Sequence, residues 1–263
     1  PVTMRLVKGA NMEMERVEAA LHGWPQAPYS SKIETDANYK KMLHVALEGE
    51  NIAAARLGVA SHNLFDVCYA LVVAAEQGCL ENVQFEMLEG MANHQRRALR
   101  ELVDNVLLYA PACQQNDFLN AIGYLVRRLD ENTGPQNYLR HTFRLQVDSP
   151  VWKELEQQFL ESLAKMDTVS NQPRRQQDRS QPLELITADE TQEDWACFEN
   201  EPDTDFSLPA NELWIRQQLQ GWQQQASETR HRPLVIAGKE VPDAECQVAW
   251  DPSCDGAQAG TYA

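Results

Sequence analysis

Two adjacent arginines, Arg127 and Arg128, are the most suggestive chemical feature of the sequence. At helical spacing they share one face with a phenol and a carboxylate, those of Tyr124 and Glu131. Neighbouring guanidinium groups repel each other unless an anion joins them, and a planar guanidinium binds a carboxylate through two hydrogen bonds. Two interpretations are therefore open: a solvated charged face with an Arg–Glu pair, or a site for an anionic ligand.

One predicted helix, residues 116–134, must position these groups. Asn116 or Asp117 is expected to cap its start, and Gly134 is expected to end it in the left-handed conformation. Apolar side chains recur at i, i+3, i+4 and i+7 on the opposite face: Ile122, Leu125, Val126 and Leu129. We therefore expect this apolar face to pack and the arginine face to remain accessible.

Short apolar strands alternate with helices before this element. The predicted strands are Thr3–Lys8, Ala55–Ala60, Val83–Met87 and Val106–Tyr109. The predicted helices are Glu13–His22, Asp36–Gly49 (capped by Asp36, with Tyr39, Met42, Leu43 and Ala46 on one face), Phe65–Gln77 and Met91–Asp104. This alternation is typical of a parallel sheet with crossover helices. Periodicity leaves two architectures open, a small open α/β sheet and half of an eight-stranded barrel.

The remainder of the chain changes in composition. A helix is predicted over residues 149–166, where Ser149 caps and Pro150 opens the first turn. Asn171–Gln181 is polar and lacks large apolar side chains, so it is predicted to be a linker. A helix at Asn211–Gln225 and short strands within Pro233–Glu240 and Gln247–Trp250 follow.

Composition excludes several classes of function. The 263 residues carry a net charge of −16, which argues against nucleic acid and against a basic membrane-binding patch. The six cysteines form no C-x-x-C pair and are expected to be reduced thiols in a cytoplasmic protein. No cluster of His, Cys, Asp and Glu has metal-ligand spacing, so no metal site is predicted. A start at Pro1, followed almost at once by a strand, is expected of a fragment or a processed chain.

A family resemblance rests on the arginine helix. Tyr-Leu-Val-Arg-Arg-Leu-Asp-Glu-Asn at 124–132, preceded by Tyr-Ala-Pro at 109–111, resembles the last barrel helix of proline dehydrogenases, in particular the bifunctional proline utilization A family. Residues 198–211 and 233–241 resemble the entry to its aldehyde dehydrogenase half. The resemblance implies the C-terminal half of a (β/α)8 barrel in residues 1–145, a helix and linker in 146–190, and the start of an aldehyde dehydrogenase fold in 191–263.

The resemblance also implies a substrate site and a cofactor site. Arg127 and Arg128 would hold the proline carboxylate, and an apolar and aromatic wall would enclose the ring: Leu88, Tyr109 and Tyr124. The implied FAD contacts are Arg5, Lys8, Gly9, Ala10, Ser30, Lys32, His62, Asn63, Gln84 and Glu131. The chain departs from the family at Asn11 and Met12, where Tyr-Trp is usual.

The implied activity is oxidation of proline to 1-pyrroline-5-carboxylate by FAD, in an enzyme whose second domain uses NAD to oxidise glutamate semialdehyde to glutamate. The implied partners are a quinone, the remaining parts of both domains, a further copy of the chain and, peripherally, the inner membrane. Two other classes stay open: a different barrel enzyme that binds a phosphate or carboxylate through the arginine pair, and a non-catalytic acidic interaction module.

Overall fold

The computed structural model describes residues 2–9, 12–181, 200–225, 231–241 and 245–263. The chain divides into two compact units, Pro1–Arg174 and Arg175–Ala263. Within the described ranges, no helix has the length and apolarity needed to cross a membrane.

The first unit contains a four-stranded parallel sheet in the order β1-β2-β3-β4. Its strands are β1 Thr3–Leu6, β2 Arg56–Ala60, β3 Val83–Leu88 and β4 Val106–Tyr109. The crossovers are α1 Met12–His22, α2 Lys32–Leu47 and α3 Gly49–Ala54 after β1, α4 Leu64–Glu76 after β2, and α5 Asn93–Leu102 after β3. Three helices follow β4: α6 Phe118–Thr133, α7 Tyr138–His141 and α8 Pro150–Ala164. The predicted parallel sheet with crossover helices is thus confirmed.

The two faces of this sheet differ in chemistry. Alternate strand residues, among them Val59 and Phe85, are buried with apolar residues of the crossover helices such as Leu43 and Ala70. The intervening residues of a pleated strand point to the other face. This second face carries polar and aromatic residues: Arg5, Gln84, Glu86 and Tyr109.

Helix α2 differs from its prediction at both the cap and the core face. It begins at Lys32, and Asp36 lies buried inside it instead of capping it. The Asp36 carboxylate is held there by ion pairs to Lys32 and Lys8. Tyr39 and Leu43 are buried as expected, whereas Met42 is half exposed.

Helix α6 is where predicted, but its apolar face is not packed. Its four apolar residues are 41–52% exposed in the described structure: Ile122, Leu125, Val126 and Leu129. Gly134 has φ −53° and ψ 144°, so it is not left-handed, and Asp117 makes no side-chain cap. Periodicity establishes which side chains share a face, but not whether another element covers that face.

Among its described residues, the second unit has one long helix, α9 Pro209–Gln225, and small sheets. Strands β6 Leu234–Ile236 and β7 Lys239–Val241 form an antiparallel hairpin, and β5 His231–Arg232 pairs with β9 Gln258–Tyr262, which also pairs with β8 Gln247–Trp250. The predicted strands in 233–240 and 247–250 are confirmed.

The boundary between the two units, after Arg174, falls within the predicted linker at 171–181, but side chains hold this segment to the units on both sides of the boundary. In the first unit, Arg174 donates to the Pro28 carbonyl and lies 4.5 Å from the centre of the Tyr29 ring. In the second unit, the Arg179 backbone N–H donates to Asn211 Oδ1 at 2.8 Å and its guanidinium donates to the Pro202 carbonyl at 2.6 Å. Arginine side chains replace apolar ones as the anchors of this polar segment. The division into 1–145, 146–190 and 191–263 stays a prediction.

Candidate functional site

The second face of the sheet carries an ion pair between a half-exposed arginine and a buried glutamate, near the ends of its strands. Arg5 on β1 donates from Nε to the Glu86 carboxylate on β3, and Glu86 is only 6% exposed. The Arg5 guanidinium carbon lies 5.4 Å from the centre of the Tyr109 ring on β4. A cation over an aromatic face is attracted by the ring quadrupole. Three strands therefore meet in one cationic and aromatic cluster.

Helix α6 extends this cluster. The rings of Tyr109 and Tyr124 are 6.1 Å apart, and the Arg128 guanidinium carbon lies 5.7 Å from the Tyr124 ring. Arg128 Nη1 is 2.6 Å from Glu131 Oε2. Burial, together with Tyr109, raises the pKa of the Tyr124 phenol, which is therefore neutral at physiological pH. Burial also raises the pKa of Glu131, although Arg128 opposes that shift.

The two adjacent arginines have different surroundings. Arg128 is only 15% exposed in its side chain and is tied to Glu131. Arg127 is exposed, and the described residues offer it no ion pair or hydrogen bond. Arg127 is thus available to an anionic ligand without giving up an existing partner.

His62 and Leu88 are joined by a hydrogen bond. The Leu88 backbone N–H donates to His62 Nε2 at 2.9 Å, so Nε2 is unprotonated and a neutral ring carries its hydrogen on Nδ1. Burial lowers the pKa of His62, and a hydrogen bond that only the neutral ring can accept favours the same neutral form. Leu88 lies beside Tyr109 in the β3–β4 register, which places the predicted apolar wall next to the tyrosines. Gln84 donates to Asn105 Oδ1 at 2.9 Å.

Lys8 belongs to a buried charge network on the helical side. It is paired with Asp66 on α4 and lies 3.3 Å from Asp36. Lys40 on α2 is 3.1 Å from the same Asp66 and donates to Ser162 Oγ on α8 at 2.8 Å. Burial disfavours the ionised Asp66, but the two ammonium groups outweigh it and lower its pKa. The network fixes the end of β1 to α2, α4 and α8.

The other predicted cofactor contacts have local structural partners. Gly9 has φ +35°, and a Cβ there would lie 3.0 Å from Met12 Sδ and from Thr35 Cγ2, so both conformation and space require glycine. Asn63 caps α4 by accepting from Phe65 N at 3.0 Å. Ser30 is exposed, and Lys32 opens α2 with an ion pair to Asp36. Ala10 and the departure at Asn11 lie outside the described residues.

The structure brings together Arg5, Leu88, Tyr109, Tyr124, Arg128 and Glu131, which span much of the sequence. Sequence reasoning missed Glu86, Lys40 and Asp66 as parts of this region. Asp66 and Glu86 are charged residues flanked by apolar ones, whereas Lys40 stands next to a second lysine; a charged residue is buried only when it is paired. That signal could have identified the two carboxylates, although not their partners. Within the described ranges, no group of His, Cys, Asp or Glu residues could hold a metal ion.

Comparisons with known proteins identify the family of this chain and solved structures with a similar fold. The sequence model of the family described as proline dehydrogenase matches residues 1–141. Proline utilization A from Corynebacterium freiburgense is 37% identical over 82% of the chain, with a TM-score of 0.63. Proline utilization A from Bdellovibrio bacteriovorus, in a structure inactivated by N-propargylglycine, is 26% identical over 99% of the chain, with a TM-score of 0.72.

The chain spans 18% and 24% of the lengths of these two proteins. No curated protein sequence matched it.

Proposed function

Because the chain belongs to the proline dehydrogenase family, we propose that the protein carrying it oxidises L-proline to 1-pyrroline-5-carboxylate with FAD. We further propose that the first unit contains the C-terminal half of a (β/α)8 barrel. Two features support the barrel: the strands follow one another in sequence order, and the buried faces of the crossover helices pack on one side of the sheet. The barrel interior would then be the face that carries Arg5 and Glu86.

The observation that carries the proposal is the continuous cluster from Arg5 through Tyr109 and Tyr124 to Arg128. Arg127 and Arg128 would bind the substrate carboxylate, and Glu131 would orient Arg128. Tyr109, Tyr124 and Leu88 would enclose the apolar ring and exclude water from it. In this arrangement proline would be held by its carboxylate, and its ring carbons would face the strand ends.

The residues at the strand ends fit a large, acceptor-rich cofactor. Arg5 keeps 46% of its side chain exposed while its Nε donates to Glu86, so its remaining N–H groups would be available to acceptor atoms of the cofactor. The Lys32 ammonium and the exposed Ser30 hydroxyl would hold phosphate oxygens, and Gln84, His62 and Asn63 would line the remainder. The chemistry that FAD supplies when bound is acceptance of the hydride from proline C5.

The proposal extends to the complete protein. By resemblance, residues 191–263 would begin an aldehyde dehydrogenase domain that oxidises glutamate semialdehyde to glutamate with NAD. Electrons from proline would leave through a quinone, with peripheral contact at a membrane, and the enzyme would form homo-oligomers. These assignments rest on the bifunctional family that the sequence resembles.

An anaerobic titration of the full-length protein tests the proposed function. The purified protein should contain bound FAD, and its visible absorbance should bleach when L-proline is added. A barrel enzyme that binds phosphate through the arginine pair, or a non-catalytic module, would contain no proline-reducible flavin. Absence of flavin, or bound flavin that proline does not reduce, would refute the proposal.

A further inference from the structure

We propose that Glu86 is a positioning residue that acts through Arg5: it fixes the arginine across the barrel face against Tyr109 and so sets the flavin-side contact. This inference rests on the proposed function, because Arg5 is assigned to the cofactor there. Glu86 itself would contact neither the substrate nor the cofactor.

The strand register shows why this ion pair is unusual. Arg5 lies beside Gly58, and Glu86 lies beside Ala60, so the two charged residues are on strands separated by β2. Neighbouring strands are about 4.8 Å apart, which places β1 and β3 about 10 Å apart. The side chains must therefore meet above the middle strand.

Gly58 makes that meeting possible. A Cβ built at Gly58 would overlap the Glu86 carboxylate, because the carboxylate crosses the middle strand at this glycine. The backbone of Gly58 has no positive φ, so conformation does not require glycine here. Glycine is required because the Glu86 side chain occupies the space that a Cβ would take.

Burial gives the ion pair its directing effect. Glu86 is 6% exposed, and Arg5 is the cation placed against it. A buried carboxylate is costly without a partner, so Glu86 restricts Arg5 to conformations in which Nε faces the carboxylate. In that conformation the guanidinium carbon lies over Tyr109, and Tyr109 in turn contacts Tyr124. Glu86 thereby couples the sheet to the arginine helix.

Two substitutions at Glu86, made in the full-length protein, distinguish loss of the hydrogen bond to Arg5 from loss of the negative charge. Glu86→Gln and Glu86→Ala both remove the negative charge, but only glutamine keeps an oxygen that can accept from Arg5 Nε. We expect Glu86→Ala to raise the FAD dissociation constant about ten- to hundredfold, the range for a charged hydrogen bond. The increase in Glu86→Gln should be at least about tenfold smaller. FAD dissociation constants from fluorescence titration provide the measurement, and kcat/KM for proline should follow the same order.

A double-mutant cycle distinguishes positioning from a general structural role. In an Arg5→Met background, Glu86→Ala should change the FAD dissociation constant less than about twofold, because the group through which it acts is gone. Gly58→Ala, which keeps both charges, should behave like Glu86→Ala in the wild-type background and should also have little effect beside Arg5→Met. Glu81→Ala, an exposed carboxylate before the other end of β3, is the matched control and should change nothing.

The outcomes separate this inference from the proposed function. Equal losses in Glu86→Gln and Glu86→Ala, or additive losses in the cycle, would refute the positioning role while the wild-type protein still binds FAD and oxidises proline. A wild-type protein that binds no FAD would overturn the proposed function and this inference together.

Discussion

Replacing Arg127 and Arg128 one at a time with methionine should have similar effects on proline binding but different effects on stability. Both guanidinium groups are assigned to the substrate carboxylate. Loss of one partner of a buried charge pair costs about 2–5 kcal/mol, and each 1.4 kcal/mol is tenfold in affinity. Either substitution should therefore weaken proline binding by about thirtyfold or more. Flavin content should remain near that of the wild type, because the lost contact is to the substrate.

The stability difference follows from Glu131. In Arg128→Met the half-buried Glu131 loses the partner that lies 2.6 Å away, which should cost about 1 kcal/mol of unfolding free energy for a partly exposed pair. In Arg127→Met no ion pair among the described residues is lost, so the stability should change by less than about 0.5 kcal/mol. Arg97→Met on the exposed face of α5 is the control for removing one arginine charge.

Proline titrations of the oxidised flavin spectrum measure the affinity, and chemical denaturation measures the stability. Unchanged proline affinity in both variants would mean that this helix presents only a solvated face with an ion pair. A greater stability loss in Arg127→Met than in Arg128→Met would refute the assignment of Glu131 to Arg128.

Three further predictions concern the charge network and the polar segment. Lys40→Met should lower the free energy of unfolding by about 1–3 kcal/mol, because the buried Asp66 keeps Lys8 but one of its carboxylate oxygens loses its cation; a urea titration showing less than about 0.5 kcal/mol would contradict this. Because the pKa of Asp66 is lowered in the folded protein, its stabilisation is present above the unfolded pKa of about 4 and is lost as pH falls through the lower folded value. Melting temperatures measured below about pH 4 should therefore fall less steeply in Asp66→Asn than in the wild type. Limited trypsin digestion followed by mass spectrometry should cut first at the exposed Arg144. Early cleavage at Arg174 or Arg179 would contradict the contacts that hold them in place.

The sequence by itself determined the secondary structure around the sheet. Val83–Leu88 alternates apolar residues with Gln84 and Glu86, Val106–Tyr109 is a short apolar run, and both are strands. The period of residues 118–133 placed Tyr124, Arg128 and Glu131 on one face, because helical geometry depends only on local spacing. The family motif in the same helix likewise depends on residue order alone.

Tertiary structure decided which charges are buried and what they contact. Glu86 and Arg5 are 81 residues apart, and Lys8 and Asp66 are 58 apart, so no local pattern pairs them. Asp36 had the residue type of a helix cap, yet two lysines hold it inside α2. The apolar face of α6 is exposed although its spacing predicts packing, and the polar segment at 171–181 is held in place although its composition predicts a linker. Spacing and composition describe what a surface can do, whereas burial depends on which distant residues the fold brings against it.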